Sequence, residues 1–206
     1  MRTAALLFGI GACMAMPAQV IEFESGGLKY LTQTRNGVTV MFAHLPVHVR
    51  EYAVIQVAIS NGSQETWQVK PEDFRFLRED GGTVRAEGAR SVVTGFVNRG
   101  GRDDVVKLVS AYEMGLYGMN RVHAANGYEA RRQAAIAEVS SPRLKAAAAA
   151  AAIVMPTIRL KPGESTDGAV FYPNAGRPLG TGKVVFHAAD TVFEFDTVPV
   201  AGSNVR

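Results

Sequence analysis

Apolar and polar positions change their period twice along this chain. In the first part the period is two. Leu28 to Thr34 and Val38 to Phe42 are β-rich runs separated by Arg35-Asn36-Gly37. Asn-Gly is the strongest short hairpin signal, because both residues accept a positive φ, so the two runs are predicted to pair. From Glu51 to Ser60 the alternation puts Ala53, Ile55, Val57 and Ile59 on one face, and Tyr52, Val54, Gln56 and Ala58 on the other. One face is fully apolar and the other only partly polar, as expected of a central strand packed on a second layer. Asn61-Gly62-Ser63 ends that strand as a turn; a eukaryotic secreted protein would offer the triplet as a glycosylation site, and the turn is the reading adopted. Phe74 to Leu77 follows Pro71-Glu72-Asp73 as a short strand, and Asp80-Gly81-Gly82 turns it into Thr83 to Ala86.

The period then moves towards 3.6. Val92, Val93, Phe96 and Val97 fall at helical spacing, as do Val105, Leu108, Val109, Tyr112, Leu116 and Met119, with Asp103 or Asp104 placed to cap the second helix. A third helix is predicted from Asn126, with Glu129 three residues on, to about Val139. A fourth lies between Ser140 or Ser141, with Pro142 at its first position, and Pro156 beyond its end. The alanines from Ala146 to Ala152 allow a neighbour to approach that helix closely, so it is read as a packing device.

From Thr157 the β pattern returns, with Thr157 to Lys161, Ala169 to Tyr172, Lys183 to His187 and Thr191 to Asp196 bounded by Pro, Gly, Asn or Asp. Strands, helices, then strands without regular alternation predict a mainly β fold with an α insertion: an antiparallel β-sandwich interrupted by three to four helices. The divisions expected are 19–88 for the first part of the sandwich, 89–156 for the helical insertion, 157–201 for the second part and 202–206 for a loose tail.

The first residues stand apart. Arg2 precedes the apolar run Ala4 to Gly11, the pattern of a secretory signal peptide over 1–18, too short for the ~20 apolar residues of a membrane-spanning helix. Ile10-Gly11-Ala12-Cys13 resembles the lipobox of bacterial lipoproteins, and that reading gives a signal of 1–12 with Cys13 as lipidation candidate; the other is cleavage near Ala15 or Ala18 with Cys13 discarded. Cys13 is the single cysteine among 206 residues, so no intrachain disulfide is expected. The composition, 47% hydrophobic and 20% charged, is that of a folded domain. The net charge of +3 is spread among interleaved acids and bases, with no basic and aromatic cluster suited to nucleic acid.

With the segments placed, Ile59-Ser60-Asn61-Gly62-Ser63, Pro71-Glu72-Asp73-Phe74 with its Asp80-Gly81 turn, and Leu160-Lys161-Pro162-Gly163-Glu164 followed by Gly168-Ala169-Val170-Phe171 resemble bacterial secreted or lipoprotein immunoglobulin-like domains of the telokin-like type. The resemblance covers the two flanks and not the helical middle. It implies an immunoglobulin-like sandwich in an extracytoplasmic place, and it carries over no catalytic residue and no cofactor.

Several patterns invite chemistry. His44 and His48 stand four apart, but Pro46 argues against a helix between them and Leu45 stands where a zinc protease needs Glu; with Met41 they remain weak metal candidates. Gly176 to Lys183 lacks the residues of a phosphate loop and is read as a hairpin connection, and Gly163 to Gly168 as a turn rather than a nucleophile elbow. Tyr112, Tyr117, Tyr128, Arg131 and Arg132 make the helical part rich in the residue types that dominate interfaces, and they are the partner-surface candidates; the competing reading has the tyrosines closing the seam between helices and sandwich. The function expected is a non-enzymatic binding or scaffold module of the cell envelope, without cofactor and with an envelope protein as its partner. The rival is a hydrolase or metal-binding protein using His123 or His187 with Glu113 or Asp190, where insertion meets sandwich.

Overall fold

The computed structural model describes residues 19–99, 101–118, 127–136, 141–188 and 190–197. Among the described residues the fold is mainly β, with antiparallel sheets and four helices. A five-stranded sheet is ordered β1 (Val20–Ser25), β2 (Leu28–Arg35), β3 (Val38–Val49), β4 (Tyr52–Asn61), β9 (Ser165–Pro173). A four-stranded sheet is ordered β11 (Thr191–Thr197), β10 (Gly182–Ala188), β6 (Phe74–Arg78), β7 (Thr83–Arg85). Two short strands, β5 (Trp67–Val69) and β8 (Ile158–Leu160), pair with each other. The helices α1 (Ala89–Arg99), α2 (Arg102–Gly118), α3 (Tyr128–Ile136) and α4 (Pro142–Ile153) all fall between β7 and β8.

The predicted hairpin forms as its turn residues dictate: Asn36 and Gly37 both take positive φ, 50° and 78°, and Arg35 pairs with Val38. The alternation in β4 is the organising feature of the molecule. Ala53, Ile55, Val57 and Ile59 join Phe42, Phe74, Phe76, Phe186, Phe193 and Phe195 in a core between the two sheets. Tyr52, Val54 and Ala58 join Val92, Phe96, Leu108, Tyr112, Ala146, Ala150 and Phe171 in a second core between the five-stranded sheet and the helices. The order is therefore four-stranded sheet, five-stranded sheet, helical layer, with β4 and β9 buried on both faces.

The alanine-rich helix α4 carries out the packing read from its sequence. Ala146, Ala147, Ala149, Ala150 and Ala152 are buried, and α4 touches α1, α2 and α3. Pro142 opens it, and its end is tied to the sheet where the Met155 amide donates to the Ala169 carbonyl at 2.8 Å. The start of α2 is capped by Asp104, which accepts from the Gly101 amide at 2.9 Å and from Arg50 Nε at 2.8 Å. Asn126 lies outside the described residues. Asn61 is buried: its amide donates to the carbonyls of Glu65 and Leu160, and its oxygen accepts from Ser63, so its side chain holds the turn together.

Three readings are corrected. Residues 165–168 are not a turn but the first part of β9, pairing with Ser60 down to Val57, because β4 supplies a full row of partners. The connection from Gly176 to Lys183 is not a hairpin, since β9 pairs with β4 and β10 with β6, and the chain crosses between sheets there. An additional strand, β1, precedes the first one read from the sequence. Among the described residues no helix is long and apolar enough to cross a membrane.

Candidate functional site

The seam between the five-stranded sheet and the helices holds buried polar side chains from both layers, Gln56 and Asp167 from the sheet and Tyr112 from the helices. Its position follows from registry. Tyr30, Ala43, Gln56 and Ala169 form one row across β2, β3, β4 and β9, and Thr32, Met41, Ala58 and Asp167 form the next row on the same face. Helix α2 lies over these rows and presents Tyr112 and Gly115.

Asp167 is buried, and the Tyr112 hydroxyl donates to its Oδ2 at 2.5 Å. Arg131, on α3, donates from Nε to the Ala152 carbonyl at 2.9 Å and from a terminal nitrogen to the Asp167 carbonyl at 2.9 Å; that nitrogen stands 3.9 Å from the Asp167 carboxylate. One guanidinium thus joins α3, the last turn of α4 and β9, while offsetting the buried negative charge. A cation beside the last turn of a helix also meets the negative end of its dipole. Burial, and then the Asp167 carboxylate, push the Tyr112 phenol well above the ordinary tyrosine range, with Arg131 opposing. It is a neutral donor at physiological pH.

The Tyr30 hydroxyl donates to the Gly115 carbonyl at 2.7 Å. Gln56 is fully buried beneath the same turn of α2, and with Arg131 its side chain opposes the rise of the Tyr112 pKa. A Cβ at position 115 would stand 1.7 Å from Gln56 Oε1, so a larger residue there would force the buried Gln56 side chain to move. In the same core, Tyr128 stacks at a tilt on Tyr112 with centroids 4.9 Å apart, and its hydroxyl donates to Glu113 Oε1 at 3.1 Å. Arg132 pairs with Glu113 at 3.0 Å and lies 5.9 Å from the Tyr128 ring centroid. A second attachment sits at the other end of the layer, where the Tyr52 hydroxyl and Ser91 Oγ both donate to Glu87 at the start of α1.

The partner-surface candidates therefore divide. Tyr112 and Tyr128 are buried in the seam, Arg131 is largely buried, and Arg132 is 45% exposed. The Tyr117 side chain, Cys13 and His123 lie outside the described residues. His44 and His48 lie on β3 with an irregular register between them. The His44 ring packs edge-on against Phe42, on the core between the sheets, and burial pushes its pKa down to about 4. His48 is exposed. Met41 packs on the opposite face, against the helical-layer core, so the structure does not bring it to His44. No group of three or more His, Cys, Asp or Glu placed to hold a metal occurs among the described residues.

His187 is exposed on β10, in the four-stranded sheet, and Asp190 is exposed just beyond that strand. Glu113 belongs to the helical layer on the far side of the five-stranded sheet. The structure sets Glu113 apart from His187 and Asp190, which stand on one hairpin. The residues that sequence reasoning missed are Asp167, Gln56 and Tyr30. For Asp167 a signal existed: Asp167, Ala169 and Phe171 alternate with Gly168, Val170 and Tyr172, continuing the strand backwards through residues that resemble a turn. No family model, no curated protein and no solved structure matches this chain.

Proposed function

We propose that this chain is a non-enzymatic, extracytoplasmic binding or scaffold module of the cell envelope, in which a sandwich of immunoglobulin-like type holds a helical layer as a rigid recognition surface. The observation that carries this reading is the use made of the chemically capable side chains at the seam. Tyr112, Asp167, Arg131 and Tyr30 spend their donors and acceptors on joining helices to sheet. Such a seam fixes the layer in place, and a surface ordered beforehand loses less conformational entropy when it binds. The helical layer also carries Val106, Met114 and Leu144 as exposed apolar side chains, and Arg132 is exposed. Apolar anchors with arginine are the composition of interface centres.

Strand order supports the immunoglobulin-like part. Read as strands A, B and E, the neighbours β3, β4 and β9 form one sheet; read as C′, C, F and G, the neighbours β7, β6, β10 and β11 form the other. On this assignment the helices are inserted between C′ and E, and β1 and β2 extend the sheet beyond A. The extracytoplasmic place rests on the leader pattern and the lipobox-like Ile10 to Cys13.

The test is site-specific photo-crosslinking in a Gram-negative host, with a photoreactive residue at Val106 or Leu144 and, as control, at Leu77 on the outer face of the four-stranded sheet. The expected result is a discrete adduct from the helical layer, recovered in the envelope fraction and absent from the Leu77 control. Adducts equally strong at Leu77, none at either helical position, or recovery in the cytoplasm contradict the proposal.

A further inference from the structure

Among the described residues strand β1 is an edge of the five-stranded sheet with no strand beyond it, and Val20 to Glu24 are all exposed. Ile21 is 60% exposed and Phe23 37%, which leaves apolar surface on a strand that the cores scarcely use. The strand is held by its ladder to β2, by stacking of Phe23 on Tyr30 with centroids 5.1 Å apart, and by an ion pair of 2.6 Å between Glu22 and Lys29.

The hairpin geometry shows which main-chain groups are free to pair outwards. Gly26 and Gly27 both have positive φ, 60° and 76°, the two-residue loop whose flanking pair, here Ser25 and Leu28, exchanges both hydrogen bonds. The ladder alternates from that pair, so Phe23 and Ile21 also bond to β2, and the N–H and C=O groups of Glu24, Glu22 and Val20 face outwards. An edge of that kind is a template for another strand.

Side-chain chemistry selects the occupant. Ile21 and Phe23 lie on the face that carries the helices, and Met114 of α2 is 46% exposed on that layer, with its carbonyl 4.0 Å from a Cβ built at Gly26. Val20, Glu22 and Glu24 lie on the other face. A second copy pairing antiparallel across a two-fold axis would, in the two registers of greatest overlap, set Glu22 against Glu22 or against Glu24, and like charges directly opposed destabilise a ladder. Basic side chains opposite the two glutamates, with apolar ones opposite Ile21 and Phe23, satisfy every group of the edge.

We propose that β1 accepts, as an added strand, an extended segment of a partner protein in which Lys or Arg alternates with apolar residues. This uses strand addition rather than the helical surface, and does not rest on the reading of that surface.

The experiment uses the full chain and a synthetic peptide of alternating Lys and Val, with a Glu and Val peptide as control. Amide exchange is followed by NMR and affinity by fluorescence anisotropy. The expected result is slowed exchange at the Glu22 and Glu24 amides, no change at Phe23, and no binding of the control peptide. The pair Glu22→Lys and Glu24→Lys is expected to weaken binding roughly tenfold by turning attraction into repulsion at two cross-strand positions. Glu22→Pro removes one outward donor while leaving the β2 ladder intact, and a protected Phe23 amide shows that it remains folded; it too is expected to weaken binding about tenfold or more. Unchanged exchange at Glu22 and Glu24 under saturating peptide, or full affinity in Glu22→Pro, overturns the proposal. So does protection of those amides without peptide: it assigns the edge to a second copy if it grows with protein concentration, and to this chain's own terminal residues if it does not.

Discussion

Gly115 and Gln56 show how one missing methyl group places a helix. Alanine at 115 would press its Cβ against the buried Gln56 amide, 1.7 Å from the oxygen. Gly115→Ala is expected to cost about 1–3 kcal/mol in urea denaturation, as overpacking does, and Gln56→Ala in the same chain is expected to restore much of the loss. Tyr112→Phe deletes the donor to Asp167 and leaves that carboxylate with Arg131 alone; a loss of about 1–3 kcal/mol is expected. Because the Tyr112 pKa is raised in the folded state, its stabilisation is complete below the unfolded value of 10.0 and is lost as pH rises beyond it. The alkaline limb of Tyr112→Phe is therefore expected to be shallower than that of the parent, with Tyr30, Tyr52 and Tyr172, also raised, supplying the rest. His44 has the opposite sign. Its folded pKa of about 4 lies below the unfolded 6.5, so its contribution is present above pH 6.5 and is lost as pH falls towards 4. The full shift is worth roughly 3 kcal/mol. His44→Phe is expected to flatten that window in pH-dependent melting, and an unchanged slope would remove His44 as the cause.

At the scale of elements, what was legible is what is local. The β2–β3 turn is written in Asn36-Gly37, the two faces of β4 in its alternation, and α4 in Pro142 and its alanines. Strand β1 is not legible because its side chains are exposed on both faces, so no burial pattern marks it. Residues 165–168 were missed because Ser, Thr, Asp and Gly are turn residues until a neighbouring strand pairs with them. Tyr112, Tyr128 and Arg131 were picked out by type, while their inward direction depends on the sheet opposite, which no local pattern contains. The alanines of α4 give a direct test of the packing role. Ala150→Leu, on the buried side, is expected to cost about 1–3 kcal/mol, and Ala151→Leu, on the exposed side, to stay within roughly 0.5 kcal/mol. Equal effects would mean that the helix is not seated as described.

At the scale of the whole molecule, the five-stranded sheet belongs to two cores at once. Residues of opposite parity on β4 and β9 enter each core, so removing the helices would expose Tyr52, Val54, Ala58 and Phe171 together with the charge of Asp167. The helical layer and the sandwich are therefore expected to unfold as one unit, and the proposed recognition surface depends on that. The chain contains a single tryptophan, Trp67, packed in the core between the sheets and donating to Ser63 Oγ at 3.1 Å, so its fluorescence reports on the sandwich. Ellipticity at 222 nm is dominated by the helices. The most direct measurement is to follow both signals through one urea titration. Coincident transitions with a single midpoint are predicted. Loss of ellipticity at a lower urea concentration than the Trp67 change would mean that the helices are only loosely appended, and would contradict the account.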